Sequence, residues 1–226
     1  MSGWSSAGSP PPSAPRGGEP IPPPGSLGEV LLGVVRSPTT TLRSIAHHPD
    51  LRRTLLVVVV LNVVTGVVFV ATTQPFPGIE PDPLTRWVVE QRGSALLFAV
   101  VAAPVLGAVG YALWAGLATL LARMFGGTGT FVGTFAALVF AGIPPAVLSM
   151  VMQMIPATAG PLAALAIIPI GLAVAGWGIV LWVLALREAH ALSTGSAVGV
   201  AVLLLLAAFV LAMLGVVIVA ILLWGT

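Results

Sequence analysis

The 226-residue chain lacks two residue types and is poor in charge. It contains no cysteine, which excludes disulfide bonds and thiol chemistry. It contains no lysine, because all nine basic residues are arginine. Charged residues make up only 7% of the chain, against about 25% in an average soluble domain. So few charges cannot cover a water-exposed surface, and the mean hydropathy is +1.08. Most of the surface must therefore face lipid, and we predict an all-α polytopic membrane protein.

Long apolar runs are abundant. A transmembrane helix needs about 20 apolar residues to cross ~30 Å of hydrocarbon. Five runs are long enough or nearly so, and they predict five spans at about 54–72, 94–122, 131–152, 161–186 and 196–225. Together with the segment before them they form one predicted membrane domain, residues 27–226.

The N-terminal part is of a different kind. Residues 1–26 are rich in Pro, Gly and Ser and predict a disordered tail. Residues 27–47 carry apolar residues at helical spacing, beginning with Leu27, Val30 and Leu31. Ser37 and Pro38 mark the start of a second helix. The segment predicts one or two short cytoplasmic helices, either lying in the membrane interface or packed on the ends of the spans.

The arginines predict the orientation. Cytoplasmic loops of membrane proteins carry an excess of Lys and Arg. Seven arginines fall on the side of the N-terminus and two, Arg86 and Arg92, on the other. The N-terminus is therefore predicted to be cytoplasmic and the C-terminus outside. Arginine in place of lysine, with heavy Ala, Gly, Val and Pro usage, is typical of a GC-rich genome. We therefore expect the plasma membrane of a prokaryote.

The run "GGTGT" at 126–130 could be mistaken for a phosphate-binding loop. A Walker A loop needs a lysine, and a dinucleotide fingerprint needs G-x-G-x-x-G after a strand. Here Gly127, Gly129 and Gly133 are spaced G-x-G-x-x-x-G after a membrane helix. We predict a tight helix–helix turn that binds no nucleotide, with Gly126 or Gly127 ending one helix and Thr128 or Thr130 capping the next.

The spacing of Gly129 and Gly133 by four residues has a second consequence. Such small-residue pairs let the backbone of another helix approach closely. We therefore expect the pair to serve helix packing.

The same region carries a family resemblance. "FGGTGTF", then "FAGIPPAVLSMV", then "GWGIVLWVLALREAHALSTGSAVGVAVL" resemble the Yip family (Ypt/Rab-interacting proteins) in its Yip-one domain form, over roughly residues 28–225. Two positions depart from the family pattern: Ser196 replaces a usual lysine, and Gly142 a usual aromatic. The positions that match the family motif are Gly126, Gly127, Gly129, Thr130, Phe131, Pro144, Pro145, Trp182, Leu186, His190, Leu192, Ser193 and Ala197.

The resemblance implies a five-helix integral membrane protein with a cytoplasmic N-terminus. Eukaryotic members are linked to vesicle traffic and membrane shaping. The signature motifs of those trafficking members are not matched, so the resemblance does not imply Rab binding. It assigns no role to the motif positions of this chain.

The spans lack the residues that catalysis and coupled transport need. None contains Asp, Glu, Lys, Arg or His, whereas intramembrane proteolysis and proton-coupled transport place such groups inside the bundle. The histidines, His47, His48 and His190, lie outside the spans and are too few and scattered for a metal site. We predict no enzyme activity, no catalytic, cofactor-binding or metal-binding residues, and no cofactor.

The leading hypothesis is a Yip-like, non-catalytic scaffold that organises the membrane or binds proteins. Its expected partners are the lipid bilayer and other membrane proteins or further copies of the chain. Basic clusters do not exceed the pair Arg52 and Arg53, so nucleic acid is not expected. The alternative is a small transporter or permeability pathway for an uncharged or lipidic substrate. Pro144 and Pro145 are expected to break the middle of the third span, and the carbonyls that they free would support this alternative if they lined a cavity.

Overall fold

A computed structural model describes residues 21–75, 80–155 and 161–224. Of these described residues, 85% are helical, and they form no strand. Five of the helices in the described ranges are long and apolar enough to cross a membrane, which confirms the predicted fold class. The candidate spans are Leu51–Thr72, Arg92–Met124, Phe131–Gln153, Ile167–His190 and Thr194–Ile218.

Two short helices precede the spans, α1 (Leu27–Arg36) and α2 (Pro38–His47). Ser26 caps α1 in a reciprocal capping box with Glu29, and the bond from the Ser26 backbone N–H holds the pKa of the Glu29 carboxyl below its usual value. Of the predicted apolar stripe, Val30 and Val34 are buried, whereas Leu27 and Val35 are exposed. Helix α1 packs on α7 (Phe131–Gln153), and α2 packs on both α7 and α8 (Pro161–His190). This favours the second alternative, helices packed on the ends of the spans.

The predicted disordered tail is described only in its last residues, and residues 1–20 lie outside the described part. Residues 21–26 have no regular secondary structure, but two of their carbonyls form hydrogen bonds with side chains at the end of α2. Ser44 donates to the Pro22 carbonyl at 2.7 Å, and His48 Nε2 lies 2.9 Å from the Ile21 carbonyl oxygen. Residues 21 and 22 are thus bonded to α2 and to the residue that follows it.

The first two spans pack on one another. Helix α3 (Leu51–Thr72) is capped by Asp50. After α4 (Pro83–Glu90), the second span consists of α5 (Arg92–Leu97), a π-helical segment (Phe98–Ala102) and α6 (Ala103–Met124). Pro104 explains the π-helical segment, because it lacks an N–H and crowds the carbonyl four residues earlier. The segment lies against Gly66 of α3, where an added Cβ would stand 2.8 Å from the Ala99 Cβ.

The third span, α7 (Phe131–Gln153), is the centre of the bundle. It contacts α1, α2, α3, α6 and α8, and all nine residues from Gly133 to Ala141 are buried. The break expected at Pro144 and Pro145 is not observed, since α7 is continuous through both. Surrounding helices can support a transmembrane helix that has lost two backbone hydrogen bonds.

The last two spans differ in how much they are covered. Helix α8 (Pro161–His190) continues four residues past the apolar run, because Glu188 and His190 are buried and bonded. Helix α9 (Thr194–Trp224) packs on α8 and α6 through Ala197, Val200 and Leu204. Beyond Leu204, every described side chain of α9 is partly or fully exposed.

Candidate functional site

The glycine run forms the turn between α6 and α7. Gly126 has φ +83°, which favours glycine and ends α6, and Thr130 caps α7 by accepting from Gly133 N–H at 3.1 Å. Other N–H groups of the run bond within the chain: Gly126 donates to the Arg123 carbonyl, Gly127 to the Ala122 carbonyl, and Thr128 to the His190 carbonyl. Gly129 donates to His190 Nδ1. These donors are therefore not free to hold a phosphate, which favours the turn interpretation.

Close packing explains why the run is rich in glycine. A Cβ on Gly129 would collide with the Ala189 carbonyl oxygen, which belongs to the backbone of α8. A Cβ on Gly127 would stand 2.9 Å from the His190 Cβ. Gly133 meets a different neighbour, the Ala46 carbonyl at the end of α2. Gly129 precedes the N-cap of α7, so the two glycines of the predicted pair contact different helices.

His190 lies at the junction where the glycine turn and the start of α7 meet the end of α8. Only 1% of its surface is exposed. Its Nδ1 accepts from Gly129 N–H at 3.2 Å, and its Nε2 lies 2.7 Å from Thr134 Oγ1. The Thr134 hydroxyl in turn donates to the Thr130 carbonyl at 2.8 Å. These bonds are all satisfied by one neutral tautomer, in which Nε2 carries the proton.

The imidazole–hydroxyl pair raises the question of nucleophilic catalysis. In a catalytic pair the imidazole accepts the proton of the hydroxyl. Here Nε2 is the donor and Thr134 Oγ1 the acceptor, and Thr134 is fully buried. The pair therefore fixes the α7–α8 junction, and its geometry does not activate a nucleophile.

A buried ion-pair cluster lies beside the histidine. The Glu188 side chain is 3% exposed and accepts from Arg43 Nε of α2 at 2.6 Å and from Arg187 at 2.6 Å and 2.9 Å. Both guanidinium groups are more exposed than the carboxylate, so they remain partly hydrated. The cluster ties α2 to the end of α8.

The residues named from the sequence are only partly brought together. Gly127, Gly129 and His190 meet directly, with Gly126 and Gly133 in the same turn and helix start. Phe131 is exposed and stacks on Phe135, with ring centroids 6.3 Å apart. Two further positions lie along the spans instead. Pro145 faces Gly178 of α8, and Trp182 packs at a tilt on Trp114, with centroids 6.2 Å apart.

Sequence reasoning missed the importance of Glu188, Arg43 and Thr134. One signal was available for Glu188, which is the only acidic residue after Glu90 and directly follows Arg187 at the end of an apolar run. Nothing in the sequence paired it with Arg43, which lies 145 residues earlier. Within the described part of the chain, no three His, Asp or Glu residues come together as metal ligands could.

The family model of the Yip1 domain matches residues 32–224. The chain belongs to the Yip1 family. The resemblance noted in the sequence is therefore confirmed. No curated protein and no solved structure matches the chain. The matched range of this Yip1 domain takes in the five spans, the glycine turn and the buried Arg43–Glu188 pair.

Proposed function

We propose that the chain is a non-catalytic scaffold of the prokaryotic plasma membrane that organises the membrane or binds other membrane proteins. The main support for this proposal is that the centre of the bundle is filled with side chains. From Phe135 to Ala141, no residue of α7 is more than 4% exposed. A pathway for a solute would need space and polar groups along this part of α7, and side chains of the surrounding helices occupy that space instead.

The junction of α2, the glycine turn and α8 supports the same proposal. Its histidine and carboxylate bind other parts of the chain, so their bonds stabilise the shape of this end. The arginine distribution predicts that this end is cytoplasmic. A fixed surface of this kind suits the binding of a partner, and it needs no chemistry.

A second surface is the outer half of α9. Ala208, Ala212 and Gly215 lie at i, i+4 and i+7 and therefore share one face. Small residues on one face let a second helix pack closely, and packing supplies much of the association energy in lipid. We propose that this face binds another membrane protein or a second copy of the chain.

Reconstitution into liposomes tests the scaffold against the permeability alternative. Glycerol efflux followed by light scattering, and scrambling of a fluorescent lipid followed by dithionite quenching, should match the rates of protein-free liposomes. A saturable, protein-dependent flux in either assay would contradict the scaffold proposal and support the transporter alternative.

A further inference from the structure

An apolar groove opens on the outside of the bundle between α1, α3 and α7. Its volume is about 270 Å³, and its lining includes Leu27 and Leu31 of α1, Val57, Val60 and Val64 of α3, and Val147 of α7. Val60 is 51% exposed and Val147 46% exposed, so the groove is accessible from the side. In a bilayer, the molecules that reach such a groove are lipids.

The groove runs from the start of a span toward its middle. Val57 and Val64 are seven residues apart on α3, which corresponds to about 10 Å along the helix axis. Helix α1 contributes only Leu27 and Leu31 to the lining, which are one helical turn apart. The lining is therefore elongated along α3, which suits the extended part of an acyl chain.

Two arginines lie at the end of the groove where α3 begins. Arg52 is four residues before Leu56, and Arg53 four before Val57, and both of these residues line the groove. Residues four apart share a helix face, and side chains on a helix lean toward its N-terminus. The two guanidinium groups therefore lie beyond the groove, at the level of the headgroups.

The guanidinium groups of Arg52 and Arg53 are available to bind an anion. Arg52 is exposed, and Arg53 Nη1 donates to the Gly25 carbonyl at 2.8 Å, just ahead of α1. Of the described carboxylates, none lies within ion-pair distance of either guanidinium. The nearby Asp50 and Glu29 are helix caps that accept backbone N–H groups.

We propose that the groove holds one acyl chain of an anionic glycerophospholipid, whose phosphate lies beside Arg52 and Arg53. The lipid would come from the leaflet that contains the N-terminal end of α3. Segment 1–20 is a poor alternative occupant, because Met1 and Trp4 are its only large apolar residues. The proposal stands independently of the scaffold function.

Native mass spectrometry of the full chain tests the proposal. The protein would be released from nanodiscs that contain equal amounts of palmitoyl-oleoyl phosphatidylglycerol and palmitoyl-oleoyl phosphatidylcholine. One phosphatidylglycerol should be retained in preference to phosphatidylcholine. Arg52→Gln should lower that preference about fivefold, since a basic residue near a membrane surface contributes about 1 kcal/mol toward an anionic lipid. Arg123→Gln, an exposed arginine away from the groove, is the matched control and should leave the preference unchanged.

The apolar part of the site has its own variant pair. Val60→Trp fills the groove and should reduce retention of the lipid, whereas Val59→Trp, on an exposed neighbour outside the lining, should not. Thermal melts of both variants verify that they are folded. Equal retention of the two lipids by the parent protein, or equal retention by the two tryptophan variants, would overturn the proposal.

Discussion

At the scale of single residues, the Glu188 carboxylate is the buried charged group that we expect to matter most for stability. Glu188 is nearly inaccessible, yet both of its arginine partners reach water. Removal of the carboxylate therefore leaves solvated cations, so the loss comes mainly from the charge-assisted bonds that join α2 to α8.

We predict that Glu188→Gln lowers the free energy of unfolding by about 1 to 3 kcal/mol, the range for loss of bonds to a charged, desolvated group. Thermal unfolding in detergent, followed by intrinsic fluorescence, measures the effect. The matched control is Glu80→Gln, which removes a carboxylate whose side chain is 85% exposed and paired with Arg86. An exposed pair is worth about 0 to 1 kcal/mol, so this variant should melt close to the parent. Equal melting of the two variants would show that the Glu188 cluster does not hold the junction.

At the scale of elements, the α6–α7 turn is built on a close approach of backbones. A Cβ on Gly129 meets the α8 backbone, which cannot rotate away as a flexible side chain could. The turn therefore fixes the distance between α7 and α8.

We predict that Gly129→Ala destabilises the protein by about 1 to 3 kcal/mol, the usual cost of overpacking. Gly110→Ala is the control. Gly110 lies inside α6, and a Cβ added there would have no neighbouring atom within 4 Å. Helix propensity there favours alanine by up to about 1 kcal/mol. Melting temperatures of the two variants should therefore shift in opposite directions. A Gly129→Ala variant as stable as the parent would mean that α8 can move away from the turn at little cost.

Most of the elements could be predicted from the sequence, because apolar length and helix punctuation are local signals. Five spans, two short helices and a glycine turn all follow from runs, caps and spacing. The π-helical segment before Pro104 and the continuous helix through Pro144 and Pro145 could not be predicted in this way. A proline shows where a backbone bond is lost, but neighbouring helices decide whether the helix shifts register, breaks or continues.

The candidate site was less predictable than the fold. The glycines were visible as a motif, but their partner, the end of α8, lies about 60 residues further along the chain, as the Gly129–His190 bond shows. The burial of His190 and Glu188 depends on contacts among three helices and a turn. A single sequence contains no direct record of such tertiary pairs.

At the scale of the whole molecule, the orientation remains a prediction that follows from the arginine distribution. Single cysteines can be introduced without interference, because the chain has none. Gln91 and Thr194 are both exposed and lie at opposite ends of the spans. An impermeant maleimide added to intact cells should label Gln91→Cys, and it should label Thr194→Cys only after permeabilisation. The opposite pattern would place the N-terminus outside.

The central claim is that the molecule acts through contacts at its outer surface. Its interior is filled around the first half of α7, whereas the described side chains of α9 after Leu204 are exposed or partly exposed and include a face of small residues. If that face serves binding, a neighbouring protein should cover it in the native membrane.

Site-specific photo-crosslinking in native membranes tests this claim most directly. A photoreactive amino acid would replace Ala212 on the small-residue face of α9. In a second variant it would replace Leu113, a 71% exposed residue of α6, as the lipid-facing control. We predict discrete protein adducts from position 212, either a dimer of the chain or one defined larger species, and none from position 113. Recovery of the uncrosslinked monomer alone from both positions would contradict the account.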